Sequence, residues 1–286
     1  MTRILLTGIH GQVGWELQRT LQPLGEVIAL DRTQLDLSDP DQLRATLRRY
    51  KPTLIVNPAA YTAVDKAETE IDLATAINGT APGVLAEEAK QLDAMLVHFS
   101  TDYVFDGTGE SPYSETSSVG PRNTYGRSKL AGEKAIQASG CRHLIFRTSW
   151  VYGLRGTNFL RTMLRLGAER DQLKIVGDQI GAPTWSRMIA EITASALTRS
   201  QDHEGIYHLT ASGETSWYEF ACAIFDKAHQ QGMLARKPEL TRITSVDYPT
   251  PAERPKNSRL ACGKLRNDFG LNLPSWQEQL SLCLEA

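Results

Sequence analysis

Short runs of Ile, Leu and Val recur along the first half of the chain with little alternation: RILLT (3–7), EVIAL (26–30), TLIVN (53–57), MLVHFST (95–101) and HLIFRTS (143–149). Apolar runs of this length without a two-residue period are how strands covered on both faces read. Between them lie VGWELQRTLQPLG, DPDQLRATLRRYKP, IDLATAINGTAPGVLAEEAKQLD and NTYGRSKLAGEK, which carry apolar residues at helical spacing with a cap or a stop. Alternating strands and helices predict an α/β fold, a doubly wound parallel sheet of Rossmann type with right-handed crossovers.

Beyond Val151 the pattern becomes irregular. YGLRGTNF, VGDQIGAPTW, LTASGETSW and DYPTPAERPKNSRL are rich in Gly, Pro, Ser and Thr and read as site-forming loops. A helix is predicted from Ser186 to Thr198, and a short strand from Ile206 to Thr210 that returns to the main sheet. The expected organisation is therefore a dinucleotide-binding domain of residues 1–150, joined again by 178–210. A smaller discontinuous α+β substrate domain would take 151–177 and 211–286.

A chain of 286 residues suffices for two unequal lobes. The net charge of -2, with acids and bases well mixed, argues against a nucleic-acid or membrane-surface partner, so an anion must be caught by a local site. Cys141, Cys222, Cys262 and Cys283 are scattered without a C-x-x-C pair, and the histidines form no cluster. Reduced thiols are expected, not a disulfide frame or a zinc site. MTRILLTGIHGQVG is too short an apolar run for a signal peptide, and no 18-residue apolar segment occurs, so a soluble cytoplasmic protein is expected.

The stretch ILLTGIHGQVGWEL sets Gly8, Gly11 and Gly14 between the first strand and an amphipathic helix. In that context glycines let the backbone approach a pyrophosphate, and the helix start turns free N–H groups toward it. Asp31 closes the second strand, where a carboxylate would take the adenosine ribose hydroxyls. Arg32 beside it could pair with a 2'-phosphate, so NADH and NADPH both stay open. Asp36 and Leu37 fall where a loop could flank the adenine. IVNPAAYTAVDKAE follows the third strand with small residues before Ala60, Tyr61 and Thr62, which would let ribose and diphosphate lie against the backbone.

HFSTDYVFDG brings Thr101 and Asp102 to the carboxyl edge of the sheet, and Tyr125 and Lys129 follow at Tyr-x-x-x-Lys spacing. Alone, that spacing is also how an exposed helix face looks. Together, the residues suit a carbonyl that gathers negative charge as hydride arrives: Thr101 would donate a hydrogen bond and Tyr125 a proton. A free tyrosine titrates at about 10, and Lys129 one turn away would bring it down toward working pH.

The glycine turn, STDYVFDG and YGRSK together resemble the extended short-chain dehydrogenase/reductase superfamily. Within it, GQVGWELQ, AYTAVDKAE, FRTSWVYG, DQIGAPT and YPTPAERPKNSRL are similar to the dTDP-4-dehydrorhamnose reductases, from the first strand to the final helix. The resemblance implies that Gly11, Gln12, Val13, Asp31, Asp36, Leu37, Ala60, Tyr61, Thr62, Tyr125 and Lys129 hold the dinucleotide. It implies that Thr101, Asp102 and Trp150 meet the sugar, with Tyr125 as proton donor and Thr101 adjusting the reacting oxygen. The implied reaction is hydride transfer from NADPH or NADH to the C4 ketone of dTDP-4-dehydro-β-L-rhamnose, a small-molecule substrate.

Neighbouring activities are weighed against this. Related dehydratases follow the threonine with an acid pair, whereas here Tyr103 stands after Asp102. A 4-epimerase keeps the same Thr, Tyr and Lys. An epimerase-reductase of the GDP-fucose synthase type needs a reactive cysteine, and none lies in the site loops. The regulatory subunit of methionine adenosyltransferase resembles the same family without being an enzyme.

DYPTPAERPKNSRL offers Arg254, Lys256 and Arg259, with Asn257 among them, as a rigid loop suited to a diphosphate, its other reading being a solvated basic turn. Asn158 and Phe159 could cover the sugar or the thymine. From members that form magnesium-bridged dimers, Glu16 is a candidate Mg2+ ligand and a homodimer a candidate assembly; its other reading is an exposed helix carboxylate.

Overall fold

The computed structural model describes residues 2–199 and 203–285. The expected ranges 1–150, 178–210 and 211–286 thus run partly outside the described residues, at Met1, 200–202 and Ala286. In chain order the first half gives β1 (Arg3–Leu6), α1 (Gln12–Thr20), β2 (Glu26–Ala29), α2 (Pro40–Tyr50), β3 (Leu54–Asn57), α3 (Val64–Ala67), α4 (Ile71–Thr75), α5 (Ala81–Gln91), β4 (Met95–Thr101), α6 (Thr124–Ser139) and β5 (His143–Thr148). There follow β6 (Val151–Tyr152), α7 (Phe159–Glu169), β7 (Gln172–Val176), β8 (Ile180–Gly181), β9 (Thr184–Trp185), α8 (Ser186–Leu197) and β10 (Gly205–His208). The chain closes with β11 (Thr215–Ser216), α9 (Trp217–Gln230), β12 (Glu239–Ile243), α10 (Gly263–Phe269) and α11 (Trp276–Glu285).

Six strands pair in the order β10-β5-β4-β3-β1-β2, every pair parallel. Successive residues of a strand face opposite sides, and each side has its own core. Ile4 and Leu6 pack with Leu17 and Ile189, under α1 and α8, whereas Leu5 packs with Leu43, Leu85 and Ile136 under α2, α5 and α6. This is the doubly wound sheet that the apolar runs predicted. The strand after Ser186–Leu197 does rejoin it, with Gly205 opposite Leu144.

The helix boundaries follow from their caps. Asp39 accepts from Asp41 N and Gln42 N, both at 3.0 Å, with Pro40 in the first position of α2. The segment 71–93, read as one helix, is instead interrupted by a π turn at Ala76–Thr80. There Asn78 is drawn out of register: its side chain accepts from Tyr61 N at 2.8 Å and donates to Tyr61 O at 3.0 Å. Gly132 of α6 lies against Asn78 O, so close that any side chain would collide, which explains a small residue in that helix.

The second half is less loop-like than its sequence. α7, α9 and α11 enclose a third core of Leu160, Phe220, Phe225 and Leu280, and β7 pairs with β12 in parallel. Their apolar stripes are short and separated by Gly- and Pro-rich turns, which masked the helical period.

Candidate active site

β1 and β3 are neighbours, yet the chain leaves β1 for β2 on one side and returns to β3 on the other, which opens a crevice at their carboxyl ends. Gly8 (φ +60°) lies against Ala59 in that crevice, and Gly14 packs on the Gly8 carbonyl with no room for a side chain. The first turn of α1 therefore comes close to bare backbone, a cradle that suits a pyrophosphate. Val13 packs partly buried against the sheet core, and Gln12 Oε1 accepts from Asn158 Nδ2 at 2.9 Å.

Asp31 stands after β2, but its Oδ1 is engaged by Thr33 Oγ1 (2.6 Å), Thr33 N (2.8 Å) and Gln34 N (3.2 Å). These bonds, the Thr33 hydroxyl foremost, hold the carboxyl below its ordinary range. Oδ2 faces His10 Nε2 at 3.5 Å. Arg32 is exposed, 3.9 Å from Asp36, whose carboxylate serves Ser38 N and Oγ. Leu37 is buried. Ala60, Tyr61 and Thr62 follow β3 as expected of a strand-end loop, with the Tyr61 hydroxyl given to Glu70 at 2.6 Å, a bond that lifts its pKa to about 12.

At the end of β4, Thr101 Oγ1 donates to Asp102 Oδ1 at 3.0 Å and accepts from Tyr103 N at 3.2 Å. Asp102 is 3% exposed, and burial lifts its carboxyl to about 6 against the pull of the nearby Ser258 and Thr101 hydroxyls. Thr148 Oγ1 and Ser149 Oγ are buried without a hydrogen-bond partner. Buried polar groups are seldom left so. A pair of them at one sheet edge suits a polar ligand.

Asn123 caps α6 through Gly126 N at 2.8 Å and so sets Tyr125 in its first turn, edge-on to Tyr103 with ring centres 5.4 Å apart. Burial pushes the Tyr125 phenol above its ordinary value, and Thr101 is the group that opposes this. Lys129 is buried, its Nζ 2.6 Å from Phe99 O and 3.1 Å from His98 Nε2. Burial brings it down to about 8, with Glu133 opposing. The expected lowering of Tyr125 by Lys129 is not what this geometry displays: the amine is turned toward the floor of the sheet, where the Phe99 carbonyl satisfies it.

Trp150 (φ +50°) stacks on Trp217 with ring centres 3.6 Å apart and lies against Gly181. Asn158 caps α7 through Arg161 N and, with its bond to Gln12, ties that helix to the first turn. Phe159 packs on Trp217 and Phe220 in the core. Arg254 donates to Asp65 Oδ2 at 2.7 Å and Tyr103 Oη at 3.1 Å. Asn257 donates to Ser111 O and accepts from Arg259 N and Nε, so it shapes its own loop. Around it opens a cleft of about 710 Å3 lined by Gln179, Tyr248, Arg254, Lys256 and Arg259. Glu16 pairs with Arg19, and no group of three or more potential metal ligands occurs among the described residues.

The family model described as the RmlD substrate binding domain matches residues 1–286. A dTDP-4-dehydrorhamnose reductase of Escherichia coli (strain K12) is 48% identical over 281 residues, 96% of this chain and 94% of that protein. Another from Burkholderia thailandensis is 48% identical over 293 residues, 99% and 98% of the two chains. The chain belongs to the dTDP-4-dehydrorhamnose reductase family.

The solved dTDP-4-dehydrorhamnose reductase of Bacillus anthracis, in complex with NADP, superimposes with a TM-score of 0.93 at 36% identity, covering 100% of this chain and 99% of that one. Membership of the dTDP-4-dehydrorhamnose reductase family does not favour the regulatory-subunit or 4-epimerase readings. No helix among the described residues is long and apolar enough to cross a membrane. Sequence reasoning passed over Asp65, Asn78, Trp217 and Ser258, whose roles depend on contacts between distant segments. It also passed over His98, whose signal was present: an imidazole inside an otherwise apolar strand.

Proposed function

We infer that this chain reduces the C4 ketone of dTDP-4-dehydro-β-L-rhamnose to dTDP-β-L-rhamnose, in the cytoplasm, with NADPH or NADH. When bound in the crevice above β1 and β3, the nicotinamide cofactor supplies the hydride. Gly8, Gly11 and Gly14 keep the backbone open there, with Gln12 and Val13 at the helix start. Tyr61 and Thr62 border the same crevice. Asp31, Asp36 and Leu37 serve the adenosine end. Arg32, exposed beside an Asp31 already committed to its turn, suits a 2'-phosphate, and the NADP bound by the Bacillus anthracis relative supports NADPH.

The observation that carries the reading is the convergence of Thr101, Asp102 and Tyr125 at the sheet edge. Thr101 would steady the ketone oxygen as charge develops, and Tyr125 would deliver its proton. A phenol held protonated by burial is a donor in its resting state. With the cofactor bound, Lys129, buried one turn away, would bring a positive charge to the nicotinamide ribose and the reacting centre. Trp150 and Asp102 would contact the sugar, and Arg254 the diphosphate. In this division residues 1–150 with 178–210 bind dinucleotide, and 151–177 with 211–286 bind the sugar nucleotide.

A coupled assay tests the reading. dTDP-glucose is passed through a 4,6-dehydratase and a 3,5-epimerase, this protein and NADPH are added, and the product is identified by NMR. dTDP-β-L-rhamnose is expected; its absence with tight NADPH binding would end the reading.

A further inference from the structure

Beneath the reacting centre runs a chain of side chains that the reduction described above leaves unused. Thr7 Oγ1 donates to Asn57 Oδ1 at 2.6 Å, and Asn57 Nδ2 faces His98 Nδ1 at 3.1 Å. His98 Nε2 then faces Lys129 Nζ at 3.1 Å, and Nζ donates to Phe99 O at 2.6 Å. The four residues come from the β1 end, β3, β4 and α6, and none is more than 2% exposed.

In this polarity every group donates to the next. With Nδ1 accepting from the amide, a neutral ring carries its proton on Nε2 and can only donate to Nζ, which must then be an uncharged amine. An ammonium has no lone pair to accept with. When Lys129 is charged, each bond must run the other way. Nζ donates to Nε2, the ring proton on Nδ1 goes to Asn57 Oδ1 with the amide turned over, and Asn57 Nδ2 goes to the Thr7 hydroxyl. Amide orientation and ring tautomer follow from the bonding network, and both arrangements match a donor to an acceptor at every link of the chain. A mixed arrangement would set donor against donor in a buried site.

We propose that His98 is a positioning residue for the reduction, its tautomer locked to the charge on Lys129 through the chain Thr7–Asn57–His98–Lys129. Passing from charged to neutral Lys129 releases one proton to solvent, moves the ring proton from Nδ1 to Nε2 and turns the Asn57 amide. The ring stays neutral throughout, because burial and Lys129 both hold its pKa well down. Other charges act on Lys129: Glu133 on α6 favours its charged form, and is itself paired with Arg147 of β5 at 2.6 Å. Tyr125, Asp102 and Tyr103, the last bonded by Arg254, are further ionisable groups of the centre. The importance of the Lys129 charge to turnover rests on the reductase reading. The tautomer coupling does not.

The test is therefore made first without substrate. Long-range 15N–1H spectra of the histidine-labelled full chain are recorded from about pH 6.5 to about 9.5, with His98→Gln separating its signals from those of buried His208. His98 is expected as the Nδ1–H tautomer at the low end and Nε2–H at the high end, with a midpoint near 8. In Lys129→Met it should hold one tautomer throughout. A tautomer that does not change with pH in the parent chain overturns the proposal, whatever the reaction proves to be.

The second arm reads kcat against pH. His98→Leu removes the acceptor, and the alkaline limb should move down by about one unit, tenfold in the charged fraction of Lys129. His98→Gln, which can still accept, should restore most of that shift. Equal alkaline limbs in parent and His98→Leu, with only a lower Tm, would reduce His98 to packing and overturn its positioning role.

Discussion

At the residue scale the site is governed by burial. Tyr125 is held protonated by its surroundings, so losing its hydroxyl removes the donor and little else. Tyr125→Phe should lower kcat by roughly 10^2 to 10^4-fold, the span of general acid catalysis, while NADPH affinity by titration calorimetry stays within a few-fold. Asp102 obeys the same physics, with the same sign for stability. Its folded pKa of about 6 lies above the ordinary carboxyl value of 3.8, so the folded state binds the proton more tightly. The stability this confers is complete below about pH 4 and lost as pH rises through 6. Asp102→Asn should therefore match the parent near pH 4 and exceed it at pH 8 by up to about 3 kcal/mol in denaturant unfolding, while turnover falls.

At the element scale the most consequential piece is the start of α7. Asn158 accepts from Arg161 N and donates to Gln12 Oε1 and Gly153 O, so one amide fixes a helix end, its preceding loop and the first turn of α1. Asn158→Ala should cost about 1 to 2 kcal/mol of stability, as lost caps do, and also weaken NADPH binding severalfold; a stability loss with unchanged NADPH affinity would limit Asn158 to its cap. Elements of the first half were legible because RILLT, TLIVN and MLVHFST are continuous apolar runs that only a two-faced sheet can bury. The π turn at Ala76–Thr80 was not, since Asn78 is pulled out by the backbone of Tyr61, seventeen positions away in sequence. Nor were α9 and α11, whose apolar faces meet only through the fold. In the site, the sequence named the residues at the sheet edge but not the direction of Lys129, because that direction is set by the Phe99 carbonyl and the His98 ring.

At the scale of the whole molecule, Arg254 joins the loop before α10 to the first half of the chain through Asp65 and Tyr103. The Asp65 pair is partly exposed, so it should contribute less than about 1 kcal/mol to stability. Its effect should appear in binding. Asp65→Asn frees Arg254 from its set direction, and KM for the dTDP sugar should rise severalfold with kcat near the parent value; an unchanged KM would separate Arg254 from the substrate.

In the second half of the chain β7 pairs with β12, whose facing residues Gln172 and Glu239 are 67 positions apart, and β10 reaches the main sheet from between them in sequence. During synthesis the strand edge of β5 stays bare until residues 205–208 have left the ribosome, and β7 waits longer still for its neighbour. Since chains emerge at roughly 5–20 residues per second, that edge is exposed for several seconds on every nascent chain. The order of the elements thus gives this protein a window during translation in which one strand of its main sheet stands unpaired.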